Sequence, residues 1–312
     1  MIPDRTTAPF DGVYAATLTP LLANGSLDDA LLYRHFRDMA AVDGIVGVLC
    51  NGHAGENFTL SREEKRRVVE IAAEAIGDKS IIVAGVNAEE SREAARHAMD
   101  AQAAGADAVL VFPPFSWALS LDDDMAVAHH QAIAEATDIP LMLYQAGVHT
   151  GSLAYPPAVL ERLVEIASVV AIKEGSWETS AYEANRRLVK RVAPHVAVMA
   201  SGDEHLLSCF VLGSEGSLVS LAVLMPEVIV ALDRAVRASD LVAARQLHDR
   251  IYPLAKAVYG VAPGGHATAR LKTCMRLLGR WPSDRMRPPI GPLGEAEVAM
   301  LADALRLAGL AD

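Results

Sequence analysis

The chain has 312 residues, of which 52% are apolar, and its 28 basic and 39 acidic residues give a formal net charge of −11. This length suits one large α/β barrel or two ordinary domains. The acidic balance argues against a nucleic-acid or anionic-membrane partner, which would need clustered lysine and arginine. No apolar signal region follows Met1, and no apolar run is long enough to cross a bilayer, so we expect a cytoplasmic protein.

The three cysteines, Cys50, Cys209 and Cys274, lie far apart and form no C-x-x-C pair. This usage is typical of reduced thiols in a cytosolic protein rather than of a disulfide framework or a zinc site. The histidines do not cluster at the spacing of metal ligands, so we expect no metal.

Apolar runs typical of strands alternate with segments of helical apolar spacing along most of the chain. The runs are nearly continuous in apolar residues, as expected for a parallel sheet that is buried on both faces. The predicted strands are residues 12–20, 44–50, 80–84, 108–112, 140–144, 169–173, 196–200 and 216–220. The predicted helices are residues 27–41, a segment that begins after the capping-box serine Ser61, and residues 91–104, 121–137, 156–166, 178–192, 205–212 and 225–237.

Eight strand-then-helix units in about 240 residues predict a (β/α)8 TIM barrel. We place the barrel at residues 1–238 and a C-terminal helical extension, packed on the barrel, at residues 239–312. An open, doubly wound sheet is the alternative, but no G-x-G-x-x-G motif opens the first unit.

One lysine stands out because it ends a strand. The β-branched apolar run at residues 169–172 leads directly into Lys173, and a turn follows at Gly175. A low-dielectric wall lowers the pKa of such an amine, and a neutral amine can attack a carbonyl to form a Schiff base. The alternative is a lysine that caps the strand and reaches solvent.

Other candidates gather at the same end of the barrel, where TIM barrels place their active sites. Tyr144 ends the strand before Lys173, and its phenol could shuttle the protons of imine chemistry; alternatively its ring fills the core. The loop Gly52-His53-Ala54-Gly55-Glu56 could bind a carboxylate through backbone N–H groups. His53 could act as a general acid or base, or it could be an exposed loop histidine. The predicted substrate-binding residues are Gly52, Ala54, Gly55, Glu56, Thr17, His149, Phe115 and Ser220.

These motifs together resemble the dihydrodipicolinate synthase / N-acetylneuraminate lyase family of class I aldolases, over essentially the whole chain. The residues that carry the resemblance are Thr17-Leu18-Thr19-Pro20, Gly52 to Glu56, Pro113-Pro114, Tyr144 with Thr150-Gly151, Ile172-Lys173-Glu174, Ser201-Gly202-Asp203 and Arg287-Pro288-Pro289. The resemblance implies a barrel that forms a homotetramer of dimers, with no metal or organic cofactor. It also implies that Lys173 is the Schiff-base lysine for a 2-oxo acid such as pyruvate, and that Tyr144 is the proton-relay phenol.

The chain departs from the family pattern at several positions. His53 and Ala54 replace two hydroxyl residues of the relay, and Gln145-Ala146-Gly147 replaces Asn-x-Pro. His149 replaces an arginine that clamps the second substrate's carboxylate in the lysine-pathway synthase, and Phe115 or Ser116 replaces a tyrosine donated across the dimer.

We therefore predict a Schiff-base lyase or aldolase other than the lysine-pathway synthase, with His53 as the substitute acid or base. Phe115, Trp117 and Ala54 suggest an aromatic or otherwise apolar aldehyde half. The alternatives are a dehydratase or decarboxylase that uses the same imine, and a barrel that binds a small molecule without turnover. In the last case the His53 ring should point away from Lys173.

Overall fold

A computed structural model describes residues 10–119 and 122–311 of the chain. Within these residues eight parallel strands form a closed barrel in which each strand pairs with its neighbours in chain order. The strands are β1 (Gly12–Ala16), β2 (Ile45–Cys50), β3 (Ile81–Val86), β4 (Ala108–Val111), β5 (Leu141–Gln145), β6 (Val169–Glu174), β7 (Ala197–Ala200) and β8 (Gly216–Val219). The predicted TIM barrel is confirmed, and the open sheet is wrong because β1 pairs with β8.

A helix follows each strand and covers the outside of the barrel. These helices are α1 (Asp29–Ala40), α2 (Arg62–Ile76), α3 (Ser91–Ala103), α4 (Asp123–Ala136), α5 (Pro157–Val164), α6 (Thr179–Val192), α7 (Leu206–Val211) and α8 (Pro226–Arg237). The capping box predicted at Ser61 is present, because its side chain accepts from the backbone of Glu64 while the Glu64 carboxylate accepts from the backbone of Ser61. The N-terminal segment from Met1 and the predicted helix start at residue 121 lie outside the described residues.

Alternation along the strands separates two apolar layers. Tyr14, Leu110, Phe112 and Met142 belong to the set that fills the barrel interior. Intervening strand residues pack under the helices in a second, larger cluster. Because side chains alternate between the two faces of a strand, Ala171 of β6 points inward, Ile172 points outward and Lys173 points inward again.

The last part of the chain forms α9 (Leu241–Tyr259), α10 (Ala267–Leu277) and α11 (Glu295–Leu307). A buried guanidinium holds them together: Arg270 of α10 donates to the carbonyls of Val258 and Val261 and pairs with the Glu297 carboxylate at 2.5 Å. None of the helices in the described part of the chain combines the length and apolar character needed to cross a bilayer.

Candidate active site

A cavity of about 280 Å³ opens at the carboxyl ends of the strands, where TIM-barrel active sites lie. Two sources provide its lining. The strands and the loops that follow them supply His53, Ala54, Phe58, Phe115, Tyr144, Lys173, Trp177, Asp203 and Ser220, and the C-terminal extension supplies Tyr259, Thr268 and Leu271. Nowhere in residues 10–119 and 122–311 do three metal-ligating side chains converge as a metal site would require.

Lys173 lies on the floor of this cavity and is 9% exposed. It stands opposite Tyr144 in the β5–β6 register, and its Nζ lies 5.6 Å from the centre of the Tyr144 ring. Burial lowers the pKa of Lys173 to about 8, an effect that the Asp203 carboxylate partly opposes. About a tenth of this amine is therefore uncharged at pH 7, far more than for an ordinary lysine.

The next residue, Glu174, points to the other side of the barrel wall. Its carboxylate accepts from the Ser176 hydroxyl at 3.0 Å and from the Asn185 amide at 2.7 Å. These bonds tie the end of β6 to the loop that follows it and to α6. The strand that carries Lys173 is thereby anchored from outside, and this anchoring fixes the direction of the amine.

Tyr144 is kept as a phenol. Burial raises its pKa to about 12, with a further contribution from the negative charge of Glu174. The ring packs against the backbone of Gly175, where an added Cβ would lie 3.2 Å from Tyr144 Cε2. A protonated phenol beside Lys173 can donate a proton into the cavity.

Asp203 is the one acidic side chain among the described lining residues, and it is 3% exposed. Its Oδ1 accepts the backbone N–H of Leu221 at 2.9 Å. Burial raises the pKa of Asp203 to about 6, against the opposing effects of that N–H and of the Lys173 charge. At neutral pH the carboxylate is mostly ionised and supplies the negative charge that faces the amine.

The His53 ring lies within an aromatic group, 4.3 Å from the Phe112 ring centre, 5.4 Å from that of Tyr144 and 5.9 Å from that of Phe115. Burial, together with the positive charge of Lys173, lowers the pKa of His53 to about 3. The imidazole is therefore neutral at physiological pH, with one nitrogen that accepts a proton and one that donates.

Tyr259, at the end of α9, brings a second phenol into the cavity. Its hydroxyl hydrogen-bonds the Ser220 hydroxyl, and its ring centre lies 5.1 Å from that of Trp177. Burial raises the pKa of Tyr259 well above its ordinary value, with a contribution from the Asp203 charge. The phenol therefore stays protonated, and the extension contributes an uncharged hydroxyl and a ring to the site.

Comparison with known proteins identifies the family of this barrel. The model of the dihydrodipicolinate synthetase family matches residues 9–308. The chain belongs to this family. Its curated relatives include the 4-hydroxy-tetrahydrodipicolinate synthases of Methanothrix thermoacetophila, 33% identical over 95% of this chain and 96% of the relative, and of Kineococcus radiotolerans, 32% identical over 97% and 94%.

Among solved structures, the E. coli K12 prophage protein YagE, a member of the same family determined in complex with pyruvate, has a TM-score of 0.88 at 26% identity. The match covers 97% of this chain and 100% of YagE. Membership of the family supports an enzyme with an aldolase-type role.

Within the family loop after β2, the side chains divide between the cavity and the protein interior. His53 and Ala54 line the cavity, whereas Gly52, Gly55 and Glu56 do not. The Glu56 backbone has a φ of 58°, and its carboxylate turns away to form a buried ion pair with Lys272 of α10. The Glu56 side chain is therefore directed away from the predicted substrate contact and anchors the turn, whereas the backbone contacts predicted for Gly52 and Gly55 stay a prediction.

Three further predictions also need correction. Thr17 does not line the cavity, because its hydroxyl donates to the Leu49 carbonyl at 3.0 Å. The His149 side chain is 88% exposed and lies 3.5 Å from the Glu178 carboxylate, outside the cavity. Trp117 packs edge-on against His129 within the outer apolar layer. The tryptophan that lines the cavity is Trp177.

The sequence prediction assigned no role to several lining residues. Asp203 belongs to a motif that carries the family resemblance, but nothing in the sequence indicated that it lines the cavity with Lys173. Trp177, Tyr259 and Leu271 reach the cavity through long-range packing, and no local motif marks them.

Proposed function

We propose that the protein is a Schiff-base lyase in which Lys173 forms an imine with a 2-oxo acid of the pyruvate type, and in which an aldehyde joins or leaves at the adjacent carbon. The observation that carries this proposal is a buried, inward-pointing lysine whose pKa is lowered to about 8, beside a phenol at the mouth of a closed barrel. An uncharged amine is the nucleophile that imine formation needs.

Imine formation begins when the Lys173 nitrogen adds to the C2 carbonyl of the oxo acid and its proton passes to the new alkoxide. Tyr144 then donates its proton to the resulting hydroxyl, which leaves as water, and a protonated imine and a phenolate remain. The phenolate takes a proton from C3, which gives an enamine and restores the phenol.

In the addition direction, C3 of the enamine attacks the aldehyde carbon while Tyr144 protonates the aldehyde oxygen. A carbon–carbon bond forms and the protonated imine returns. Water then adds to C2, the phenolate accepts its proton, and the product leaves with release of the free amine. The imine itself is the electron sink, so the proposal requires no metal or organic cofactor.

His53 is proposed to share the proton transfer with Tyr144. Its ring is part of the cavity lining together with Lys173, and it meets the Tyr144 ring at 78°. A neutral imidazole can accept a proton at one nitrogen while it donates from the other. A His53 ring that points away from Lys173 would favour a barrel without turnover; His53 instead lines the same cavity as Lys173, which supports an enzyme.

The loop around His53 and Ala54 is proposed to hold the carboxylate of the oxo acid, with Ser220 and Phe115 as further substrate contacts. The N–H groups of Glu56 and Asn57 donate within the loop, to the His53 and Gly52 carbonyls, and are not free for this purpose. The remaining N–H groups at the turn are the candidates.

The lysine-pathway reaction is a poor fit to this cavity. No arginine is among the described residues that line it, and His149, at the position of the family's clamping arginine, is exposed to solvent. One charge-assisted carboxylate contact is worth roughly 1.5–3 kcal/mol, so its loss would weaken binding of the second substrate.

We also propose a homo-oligomer, a dimer or tetramer. Helices α9 and α11 leave large apolar side chains exposed that a second copy would cover, namely Leu241, Val242, Tyr252 and Leu307.

The test is borohydride reduction of the protein with pyruvate, followed by peptide mass spectrometry. We expect the reduced pyruvate adduct on Lys173 and its loss in Lys173→Ala. Lys256→Ala, which changes an exposed lysine of α9, is the matched control and should trap as well as the parent. An adduct on another lysine, or none, would refute the proposal for pyruvate.

Dehydration and decarboxylation would pass through the same imine. Product analysis with 2-oxo acids that carry a hydroxyl at C4 or a second carboxylate distinguishes them from aldol cleavage, because only cleavage releases an aldehyde.

A further inference from the structure

We infer that the aldehyde half of the site takes an aromatic aldehyde, whose ring is held between two aromatic walls of the cavity. This inference rests on the proposed imine chemistry of Lys173 and names the class of its second substrate.

The first wall comes from the loops after β2 and β4. The Phe115 ring centre lies 5.9 Å from that of His53, with the rings inclined by only 25°, and 6.4 Å from that of Phe58. Phe58 and Phe115 are 46% and 42% exposed, although both line the cavity. Two large rings left open at the mouth of a pocket present apolar surface that a bound ring would cover.

The second wall comes from the loop after β6 and from the extension. Trp177 and Tyr259 pack with their ring centres 5.1 Å apart. Trp177 has a φ of 62°, a left-handed conformation that is unfavourable for a bulky side chain and persists only where the surroundings enforce it. The backbone thus adopts a costly conformation at the residue that brings an indole to the cavity.

The two walls enter the cavity from different parts of the barrel rim. The strands are closed in the order β1 to β8, so β2 and β6 are separated by three strands on either side, and Phe58 after β2 approaches the cavity from the side opposite Trp177 after β6. Phe115 follows β4, which only β5 separates from β6, and extends the first wall toward the second. Leu271 and Val219 extend the apolar boundary between them.

The charges of the cavity disfavour an anionic aldehyde. Among the described lining residues Lys173 is the only lysine or arginine, and its nitrogen is uncharged in the enamine that attacks the aldehyde; Asp203 would repel an anionic aldehyde. Part of the polar lining that a polyhydroxy aldehyde would need is already paired, because the Ser220 and Tyr259 hydroxyls bond each other and Asp203 Oδ1 accepts from Leu221. An uncharged ring satisfies all of these constraints.

The reaction balances as an aldol addition. C3 of the pyruvate enamine bonds to the carbonyl carbon of the aromatic aldehyde, the carbonyl oxygen takes the Tyr144 proton, and water releases a 4-aryl-4-hydroxy-2-oxobutanoate. The reverse reaction cleaves the same bond.

The experiment uses the full chain with pyruvate at a fixed concentration and one of four aldehydes: benzaldehyde, cyclohexanecarbaldehyde, D-glyceraldehyde and succinic semialdehyde. The aldol products are quantified by liquid chromatography with mass spectrometry. We expect kcat/KM for benzaldehyde to exceed that for the two polar aldehydes by about tenfold or more, and that for the saturated ring by a few-fold, because stacking favours the aromatic ring.

Matched variants test the second wall. Tyr259→Leu removes the ring and should raise KM for benzaldehyde more than it changes kcat, whereas Tyr259→Phe keeps the ring and should keep the preference. Both should still give the borohydride adduct with pyruvate, which shows that the barrel is folded and the amine is active. His149→Ala, outside the cavity, is the control and should match the parent protein.

The outcomes separate the inference from the proposed function. A pyruvate adduct together with equal or better use of a polar aldehyde overturns the aromatic inference and leaves the imine chemistry intact. Absence of the adduct overturns both. Phe115→Leu tests the first wall: a change of oligomeric state by light scattering with an unchanged aldehyde preference would mean that a second copy covers this ring, and that the inference is wrong.

Discussion

The two sides of the cavity differ in chemistry and in the way they are held. The barrel side presents Lys173, Tyr144 and Asp203, three ionisable groups whose pKa values are shifted by burial at the ends of strands. The extension side presents Tyr259 and Leu271, which carry no charge at neutral pH. The groups proposed to transfer protons thus lie at the ends of the barrel strands and in the loops that follow them, whereas the extension adds uncharged groups to the lining.

The extension is nevertheless joined to the barrel at the site itself. Lys272 pairs with Glu56, which holds the loop of His53, and Thr268 donates to the His53 carbonyl at 3.4 Å. From this difference we expect residues of the barrel side to control the rate of the chemical step. We expect residues of the extension side to control stability and substrate binding. Each of the following substitutions tests this expected division of roles between the two sides of the cavity.

The largest effect is expected for Tyr144→Phe, which removes the phenol from the barrel side. Loss of one positioned acid or base lowers kcat by roughly 10²–10⁴-fold. Turnover of pyruvate with an accepted aldehyde, measured at saturation, checks this. Tyr155→Phe is the control, because Tyr155 is a buried tyrosine that does not line the cavity and its loss of a hydroxyl should leave kcat unchanged. Equal losses in both variants would remove the special role of Tyr144.

The second-largest effect is expected for Lys272→Met, which removes a charged side chain of the extension. The change leaves the Glu56 carboxylate buried without its partner, and it removes the bond from Lys272 to the Arg285 carbonyl at 2.8 Å. Breaking a buried ion pair typically lowers the free energy of unfolding by about 3–5 kcal/mol. Denaturant titration measures this, and KM for the oxo acid should rise more than kcat falls, because the His53 loop loses its anchor.

The double change of Glu56→Gln with Lys272→Met is the matched control, since it removes both charges and should recover part of the stability. A loss below about 1 kcal/mol in the single variant would show that other contacts hold the loop, such as the bond from Thr19 to the Gly55 carbonyl at 2.8 Å.

The smallest effect is expected for Asp203→Asn, which changes a charge and keeps the shape. The Asp203 carboxylate raises the pKa of Lys173, so its loss should lower that pKa from about 8. Since the neutral amine is the reactive form, the rise of the borohydride-trapping rate with pH should move to lower pH. Glu204→Gln, at an acid that pairs with Lys256, is the control. An unmoved profile in Asp203→Asn would show that Asp203 does not act on the amine.

The barrel side could be predicted from the sequence because it follows from local rules. Strand periodicity orients Lys173, and the position of strand ends brings Tyr144 beside it in the β5–β6 register. The extension side could not be predicted, since Tyr259 and Lys272 reach the site by packing between segments far apart in the chain. The direction of the Glu56 side chain could not be predicted for a different reason. Its backbone has a positive φ, which turns the carboxylate away from the cavity, and a glycine-rich loop motif does not reveal this.

The opposite orientations of Lys173 and Glu174 have a consequence for how β6 can change. Deletion of Ile172, which lies beyond the register irregularity at the start of β6, would shift Lys173 and Glu174 by one position and exchange the faces to which they point. The amine would then lie among the helices, and a carboxylate would occupy the reaction chamber. The spacing between Ala171 and Lys173 therefore determines which side chain enters the cavity.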